Sequence, residues 1–151
     1  MRDTAAMRGR TPAQTVTLLF GIAFLVTGIL GFIPGITTNY DEMTFAGNDS
    51  GAELLGIFQV SILHNIVHLL FGVAAVALAR TFEGARTYLL GAGVIYVVLF
   101  VYGLLVGVGD DANIVPVNNA DDLLHLALGI ALLGSWLAFA RERTTSPVAS
   151  T

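Results

Sequence analysis

The sequence lacks cysteine and lysine altogether. Without cysteine, the chain can form no disulfide framework, thiol nucleophile or thiolate metal site. Without lysine, all seven basic residues are arginine, so the distribution of positive charge depends on arginine alone. The sequence also lacks a phosphate-binding loop, a dinucleotide fingerprint, a nucleophile elbow and a zinc-protease motif. We therefore predict no enzymatic activity from its motifs and no nucleic-acid partner.

Charged residues are scarce as well. They make up 12% of the chain, whereas a soluble domain averages about a quarter. Hydrophobic residues reach 55%, and the mean hydropathy is +0.77. This composition excludes an ordinary soluble domain and predicts an integral membrane protein whose main partner is the lipid bilayer.

Four apolar runs are long enough to cross a bilayer, which takes about 20 helical residues. They occupy residues 12–36, 52–79, 85–108 and 119–140. The sequence thus predicts a transmembrane domain over 12–140 with four spanning helices.

Helix start signals precede three of the runs. Thr11 and Gln14 have the spacing of a capping box, and so do Ser50 and Glu53. Asn118 and Asn119 are both suitable N-caps for the fourth helix. If the second helix started near Glu53, His64 would lie roughly 16 Å below its outer end at 1.5 Å per residue.

The arginines all fall on one side of a chain that crosses four times. That side holds the tails 1–11 and 141–151 and the turn between the second and third runs, while eight acidic residues fall on the other side. By the positive-inside rule, the arginine side is cytoplasmic. We expect a multi-pass protein of the bacterial cytoplasmic membrane with both termini inside. The arginines are Arg2, Arg8, Arg10, Arg80, Arg86, Arg141 and Arg143.

The second and fourth runs contain similar stretches. When "HNIVHLLFGVAA" (64–75) is set over "DDLLHLALGIAL" (121–132), His68 aligns with His125 and Gly72 with Gly129. Two helical hairpins that enter the membrane in the same direction form a parallel internal repeat. The predicted fold is therefore all-α: a transmembrane antiparallel four-helix bundle made of two repeated hairpins.

Polar side chains recur on these two helices at spacings of three and four residues, so each set lies on one helix face. Polar groups are costly in hydrocarbon, and we expect both faces to point into the bundle. This predicted polar core consists of Ser61, His64, Asn65, His68, Asn118, Asp121, Asp122 and His125.

The role of the polar core is open between several interpretations. It could be structural, holding the helices together by hydrogen bonds. It could bind a transition metal through His64, His68 and His125 with Asp121. A haem with His68 and His125 as axial ligands would also make a redox protein. A dead-end pocket for a small solute or for protons is a further interpretation. The small size also suits a homo-oligomer or an accessory subunit of a larger membrane complex.

Three stretches carry a resemblance to a known family. They are "FQVSILHNIVHLLFGVAAVALAR", "YLLGAGVIYVVLFVYGLL" and "IVPVNNADDLLHLALGIALL". Over residues 12–140 the chain resembles an uncharacterised, mainly actinobacterial membrane family, domain of unknown function 4383. The resemblance implies a small four-helix membrane protein and supplies no activity. Asp122 stands where the family pattern often has asparagine, and the implied signature positions are His64, Asn65, His68, Asn118, Asp121 and His125.

Overall fold

Four helices dominate the described part of the chain in the computed structural model, which comprises residues 9–47, 49–106, 112, 114, 115 and 117–139. Three of them, the first, third and fourth, are long and apolar enough to cross a membrane. The second is also apolar but has only 17 residues. The helices are α1 (Pro12–Leu30), α2 (Ile62–Leu78), α3 (Phe82–Val106) and α4 (Asn119–Ala138).

A small sheet joins α1 to α2, a feature that the all-α prediction missed. Its three antiparallel strands have two residues each and lie in sequence order. Leu55 and Gly56 both have positive φ, at 57° and 68°, as a tight hairpin turn requires. The strands are β1 (Thr37–Thr38), β2 (Glu53–Leu54) and β3 (Phe58–Gln59).

The first helix is shorter than predicted, because it ends at Leu30 and not near residue 36. The hydroxyl of Thr37 donates to the carbonyls of Leu30 at 3.1 Å and Gly31 at 3.2 Å. These bonds satisfy carbonyls that a helix end otherwise leaves open. The predicted capping box of Thr11 and Gln14 at the start of α1 is confirmed.

The predicted start of the second helix near residue 52 is wrong. Glu53 lies in β2, and the chain reverses at Leu55 before α2 begins after its N-cap Ser61. Ser50, the predicted cap, instead donates its hydroxyl to the Val60 carbonyl. His64 therefore lies in the first turn of its helix, and not roughly 16 Å along it.

The last two helices differ from the predicted runs mainly at their ends. The third begins at Phe82, three residues earlier than expected, and Asn118 caps the fourth as predicted. The predicted ends at residues 108 and 140 lie outside the described residues. So do residues 1–8 of the N-terminal tail and the whole C-terminal tail, with Arg2, Arg8, Arg141 and Arg143.

Neighbouring helices approach closely at glycines. A methyl group added at Gly21 of α1 would lie 3.2 Å from the Gly72 carbonyl oxygen of α2. One added at Gly129 of α4 would lie 3.5 Å from the Gly93 carbonyl oxygen of α3. Small residues at such crossings let two backbones pack together.

The central contact between α1 and α3 is made by two aromatic rings. Phe24 and Tyr96 stack with their planes 4° apart and their centroids separated by 5.4 Å. Both side chains are buried in the main apolar cluster.

At the opposite end from the sheet, the side-chain amide of Gln14 donates to the carbonyls of Ala79 and Arg80, each at 3.0 Å. This pair of bonds attaches the start of α1 to the turn between α2 and α3.

Candidate functional site

The first turns of α2 and α4 bring the predicted polar residues together at the sheet end of the molecule. Ser61 caps α2 by accepting from the amide of His64 at 3.1 Å. Asn118 caps α4 by accepting from the amides of Ala120 at 2.9 Å and Asp121 at 3.0 Å. Two predicted core residues are therefore N-caps, which anchor the helices that carry the histidines.

Asp121 fastens the sheet to α4. One carboxylate oxygen, Oδ2, accepts from the amides of Gln59 in β3 and of Asn118, both at 3.0 Å. The side-chain amide of Asn118 also donates to the Ile57 carbonyl at 2.8 Å. Asp121 is 2% exposed, so this carboxylate holds its position by backbone hydrogen bonds inside the protein. Nothing in the sequence pattern singled out Gln59 as its partner, because the two are 62 residues apart.

The three histidines are all buried, with 4% to 8% of each side chain exposed. The imidazole rings of His64 and His68 lie side by side, with centroids 4.5 Å apart. His125 lies beside Tyr96, with centroids 5.5 Å apart. The predicted inward orientation of these residues is therefore what the structure has.

Backbone contacts determine which ring nitrogen carries the proton in two histidines. The Nδ1 atom of His64 lies 3.1 Å from the Gln59 carbonyl, and that of His68 lies 3.2 Å from the His64 carbonyl. A carbonyl oxygen only accepts, so Nδ1 is the donor in both rings. In the neutral ring, Nε2 then carries a lone pair. No hydrogen bond within the described part of the chain reaches either Nε2 atom.

Two cavities meet at the histidines. One has a volume of about 160 Å³ and the other about 140 Å³, and all three histidines line both. The larger cavity has a mainly apolar wall that includes Phe71 and Tyr96. The smaller one lies beneath the sheet and also touches Asp121. A polar centre with an apolar surround is the usual composition of a small-molecule site.

Two members of the predicted polar core face elsewhere. The side-chain oxygen Oδ1 of Asn65 rests against Gly31, the C-cap of α1, and Oδ1 of Asp122 rests against Gly103 of α3. Neither oxygen has a hydrogen-bond partner in the described structure. A glycine Cα–H can make a weak contact with such an oxygen. Asn65 and Asp122 thus belong to the helix crossings and not to the cavities.

The described residues contain no group of three or more histidine, aspartate or glutamate side chains placed to hold a metal ion. Asp121, the predicted fourth ligand, already accepts two backbone hydrogen bonds through one oxygen. The geometry therefore lends no support to the predicted metal set of His64, His68, His125 and Asp121. The haem interpretation with His68 and His125 stays a prediction.

From the sequence, Tyr96 was expected only as a plausible hydrogen-bond partner and not as part of the site. A comparison of the first and third runs offers a signal, because Tyr96 precedes Gly103 by seven residues just as Phe24 precedes Gly31. Its hydroxyl has no hydrogen-bond partner among the residues that the structure describes, although the side chain is only 3% exposed. A buried tyrosine hydroxyl usually has such a partner.

The family described as Domain of unknown function (DUF4383) matches residues 14–138 of this chain. The match covers most of the sequence, and the chain belongs to this family, as its signature stretches predicted. No curated protein and no solved structure matches the chain.

Proposed function

We propose that this member of the DUF4383 family is a four-span membrane protein that holds a small ligand between its helices. One observation carries the proposal: His64, His68 and His125 together line two adjoining cavities, and the Nε2 atoms of His64 and His68 have no hydrogen-bond partner in the described structure. A purely structural polar core would use these atoms in hydrogen bonds between helices.

The exposed surface of the helices supports the membrane part of the proposal. All four helices carry large apolar side chains that are half exposed or more, as a lipid-facing surface requires. The second helix is about 26 Å long at 1.5 Å per residue, slightly less than the hydrocarbon thickness of about 30 Å. Such a small mismatch is readily accommodated by a bilayer. The large apolar side chains that are at least half exposed on the four helices include Leu19, Ile29, Leu70, Val73, Val98, Leu105, Leu123 and Leu137.

Matched contacts support the proposed repeat and bundle. Each hairpin has a glycine crossing, an N-cap at the start of its second helix, and a polar side chain against a glycine at or near the outer end of its first helix. In both second helices the aligned histidine is the seventh residue. The matched pairs are Gly21 with Gly93, Phe24 with Tyr96, Gly31 with Gly103, Ser61 with Asn118, Asn65 with Asp122, His68 with His125 and Gly72 with Gly129.

Charge segregation supports the proposed orientation. Arg10 and Arg80 lie at the end where α1 begins, and Glu42 and Glu53 belong to the segment around the sheet at the other end. Arginine or lysine in short loops, close to the ends of the spanning helices, marks the cytoplasmic side. The arginine end is therefore proposed to be inside a bacterial cytoplasmic membrane.

Cysteine labelling tests the topology directly, because the chain has no cysteine to remove. Asp41→Cys and Thr81→Cys place single thiols at exposed positions of opposite ends. In intact cells, a membrane-impermeant maleimide should label the variant at position 41, and should label the variant at position 81 only after permeabilisation. Labelling of both in intact cells, or the reverse pattern, would reject the proposed topology.

Ligand holding is tested with toluene as a small probe of the larger cavity. A dry apolar cavity of about 150 Å³ accepts a benzene-sized guest. Toluene should shift the methyl resonances of Leu63 and Leu99 in purified protein, since both residues line this cavity. Val67→Phe should fill the cavity and abolish the shift, whereas Val98→Phe, on the outward side of α3, should leave it intact. Unchanged resonances in the parent protein would favour a purely structural core.

A further inference from the structure

The turn between β2 and β3 (residues 55–57) exposes two large apolar side chains. Leu55 is 61% exposed and Ile57 is 52% exposed. The neighbouring Leu54 and Val60, in contrast, are buried in a small apolar cluster. Turns that face water are usually made of glycine, proline and short polar residues. The composition of the β2–β3 turn therefore suits an apolar surrounding.

The β2–β3 turn lies at the level where the helices end. The amide of Leu55 donates to the Ile36 carbonyl at 2.9 Å, and the next residue, Thr37, donates to the carbonyls at the end of α1. The Ile57 carbonyl accepts from the side chain of Asn118, the N-cap of α4. With 20 residues, α4 is about 30 Å long, which equals the hydrocarbon thickness of a bilayer. In a spanning orientation, the turn thus lies at one edge of the hydrocarbon.

The exposed side chains of the turn adjoin the apolar outer surface of α4. Leu55 borders the smaller cavity together with Leu124, which is itself 38% exposed. Leu123, in the preceding position, is 68% exposed. Both leucines of α4 lie within roughly 8 Å of its start at 1.5 Å per residue. The lipid-facing surface of α4 therefore meets the turn at its outer edge.

The backbone of the turn suits a surrounding without water. All three of its amides donate to backbone carbonyls: those of Gly56 and Ile57 do so within the hairpin, each at 3.2 Å, and that of Leu55 is bonded as described above. Backbone groups next to lipid must find their partners inside the protein, because hydrocarbon offers none. The turn meets this requirement.

Glu53 limits the depth that the turn can reach. It precedes Leu55 by two residues, roughly 7 Å of extended chain, and pairs with Gln59 at the end of the hairpin away from the turn. A carboxylate stays in water or among the headgroups, because its transfer to hydrocarbon is costly. The turn can therefore reach the boundary between headgroups and acyl chains but not the middle of the bilayer.

We infer that the β2–β3 turn inserts Leu55 and Ile57 into the outer leaflet of the membrane, at the boundary between headgroups and acyl chains. Contact with lipid gives the cover of the smaller cavity an attachment in addition to its hydrogen bonds with Asp121 and Asn118. The inference rests on the membrane-spanning part of the proposed function and is independent of ligand holding.

Tryptophan fluorescence in lipid nanodiscs tests the position of the turn. Trp136 is the only tryptophan of the chain, so Trp136→Phe provides a background without tryptophan emission. Leu55→Trp in this background is examined with lipids brominated near the headgroup end or near the terminus of the acyl chain, and with iodide in the water. Its emission should be lost mainly to the lipids brominated near the headgroup end, and little to iodide. Ile57→Trp should show the same pattern.

Two further positions in the same background serve as controls. Asp41→Trp, at an exposed position of the outer connection, should lose its emission to iodide and not to either lipid. Ile130→Trp should lose its emission mainly to the lipids brominated near the chain terminus. Ile130 is 63% exposed on α4 and lies roughly 16 Å from the start of the helix, near the middle of the hydrocarbon. No quenching of Ile130→Trp by either lipid would reject the membrane part of the proposed function itself.

If Ile130→Trp is quenched as expected, three results at the turn would each overturn the inference. Quenching of Leu55→Trp and Ile57→Trp by iodide alone would show that the turn faces water. Protection of both variants from iodide and from both lipids would show that protein, such as a second copy of the chain, covers the turn. Stronger quenching by the lipids brominated near the chain terminus would place the turn deep in the hydrocarbon.

Discussion

The two hairpins of this protein, α1–α2 and α3–α4, pack in similar ways but carry different polar groups. Each crosses at a pair of glycines, and in each a polar oxygen rests against a further glycine. At aligned positions, however, the first hairpin has His64 where the second has Asp121, and Phe24 where the second has Tyr96. The close approach of two backbones demands small residues at given positions. The polar positions are not constrained in that way, and they are where the halves differ.

The hairpins also differ in their outer connections. The first connection spans residues 31–61 and contains the three strands, whereas at most the twelve residues 107–118 separate the last described residue of α3 from the start of α4. The longer connection covers the smaller cavity, which Leu54 and Phe58 line. Asp121 of the second hairpin holds this cover in place through the amide of Gln59. The aspartate thus binds the other half of the molecule by accepting from the Gln59 amide, whereas the aligned His64 contacts the Gln59 carbonyl within its own half.

The largest expected effect concerns the glycine crossings. A methyl group at Gly72 would lie 2.9 Å from the rigid Gly21 carbonyl. One at Gly129 would lie 2.8 Å from a methyl of Val97, and its nearest backbone atom would be the Val97 nitrogen at 3.2 Å. Gly72→Ala should therefore lower the unfolding free energy by about 3 kcal/mol and Gly129→Ala by about 1 kcal/mol, since overpacking costs about 1–3 kcal/mol. Unfolding by a denaturing detergent, followed by Trp136 fluorescence, measures both.

A third glycine serves as the control for this pair. Gly134 lies in α4 with no atom within 4 Å of an added methyl group. Gly134→Ala should be neutral or stabilise the protein by up to about 1 kcal/mol, because alanine favours helix. An equal loss of stability in Gly72→Ala and Gly129→Ala would contradict the prediction, because it would show that the two crossings are equally tight.

The next effect concerns the two adjacent aspartates of α4. Asp121→Ala should lower the unfolding free energy by about 2–3 kcal/mol, because two partly buried amides lose this charged acceptor. Asp121→Asn should recover most of this loss, since the amide oxygen can accept the same bonds. Asp122→Asn should change stability by less than about 0.5 kcal/mol, because its Oδ1 has no partner in the described structure. A larger loss at Asp122 than at Asp121 would contradict the assigned roles.

The caps of α2 and α4 should differ by a smaller amount. Asn118 accepts from two amides and donates to the Ile57 carbonyl, whereas the Ser61 hydroxyl accepts from the amide of His64 alone. Asn118→Ala should cost about 2 kcal/mol, the upper end of the usual range for caps, and Ser61→Ala about 1 kcal/mol, the typical value. Detergent unfolding of both variants checks the order. A reversed order would show that the additional contact of Asn118 contributes nothing.

The smallest effect on stability is expected for the substitution that gives the two hairpins the same residue at the central aromatic pair. Tyr96→Phe gives the central aromatic pair two identical rings and should change the unfolding free energy by less than about 0.5 kcal/mol. Tyr88→Phe is the matched control on the same helix, because its hydroxyl donates to the Phe71 carbonyl at 3.1 Å. The control should cost about 1 kcal/mol. A comparable loss for Tyr96→Phe would mean that its hydroxyl has a protein partner.

Much of the helical framework could be predicted from the sequence. The capping signals at Thr11 and Asn118 are local patterns of three or four residues, and both were confirmed. The inward orientation of His68 and His125 followed from helical periodicity, which is also local. The start of α2 was mispredicted because residues 52–60 are apolar enough to continue a helix. Their strands depend on the turn at Leu55 and on pairing with β1 across the connection.

The candidate site was predictable only in part. The sequence placed Asn65 and Asp122 on the same helix faces as the histidines, because spacing alone cannot separate a cavity from a helix crossing. Their glycine partners lie on other segments of the chain, and so does Tyr96. The protonation of the His64 ring depends on the carbonyl of Gln59 in β3. None of these contacts has a local signature.

Composition and periodicity by themselves determined that this protein consists of apolar helices with a polar face on two of them. They also revealed that the two polar faces are similar in sequence. These properties are local, because hydropathy and helical spacing are read along a single segment. The tertiary structure decided where α2 begins, which polar atoms are satisfied, and which are left facing a cavity. Those outcomes depend on hydrogen bonds and packing between segments as far apart as Gln59 and Asp121, and a polar atom is satisfied or unsatisfied only once its neighbours in space are in place.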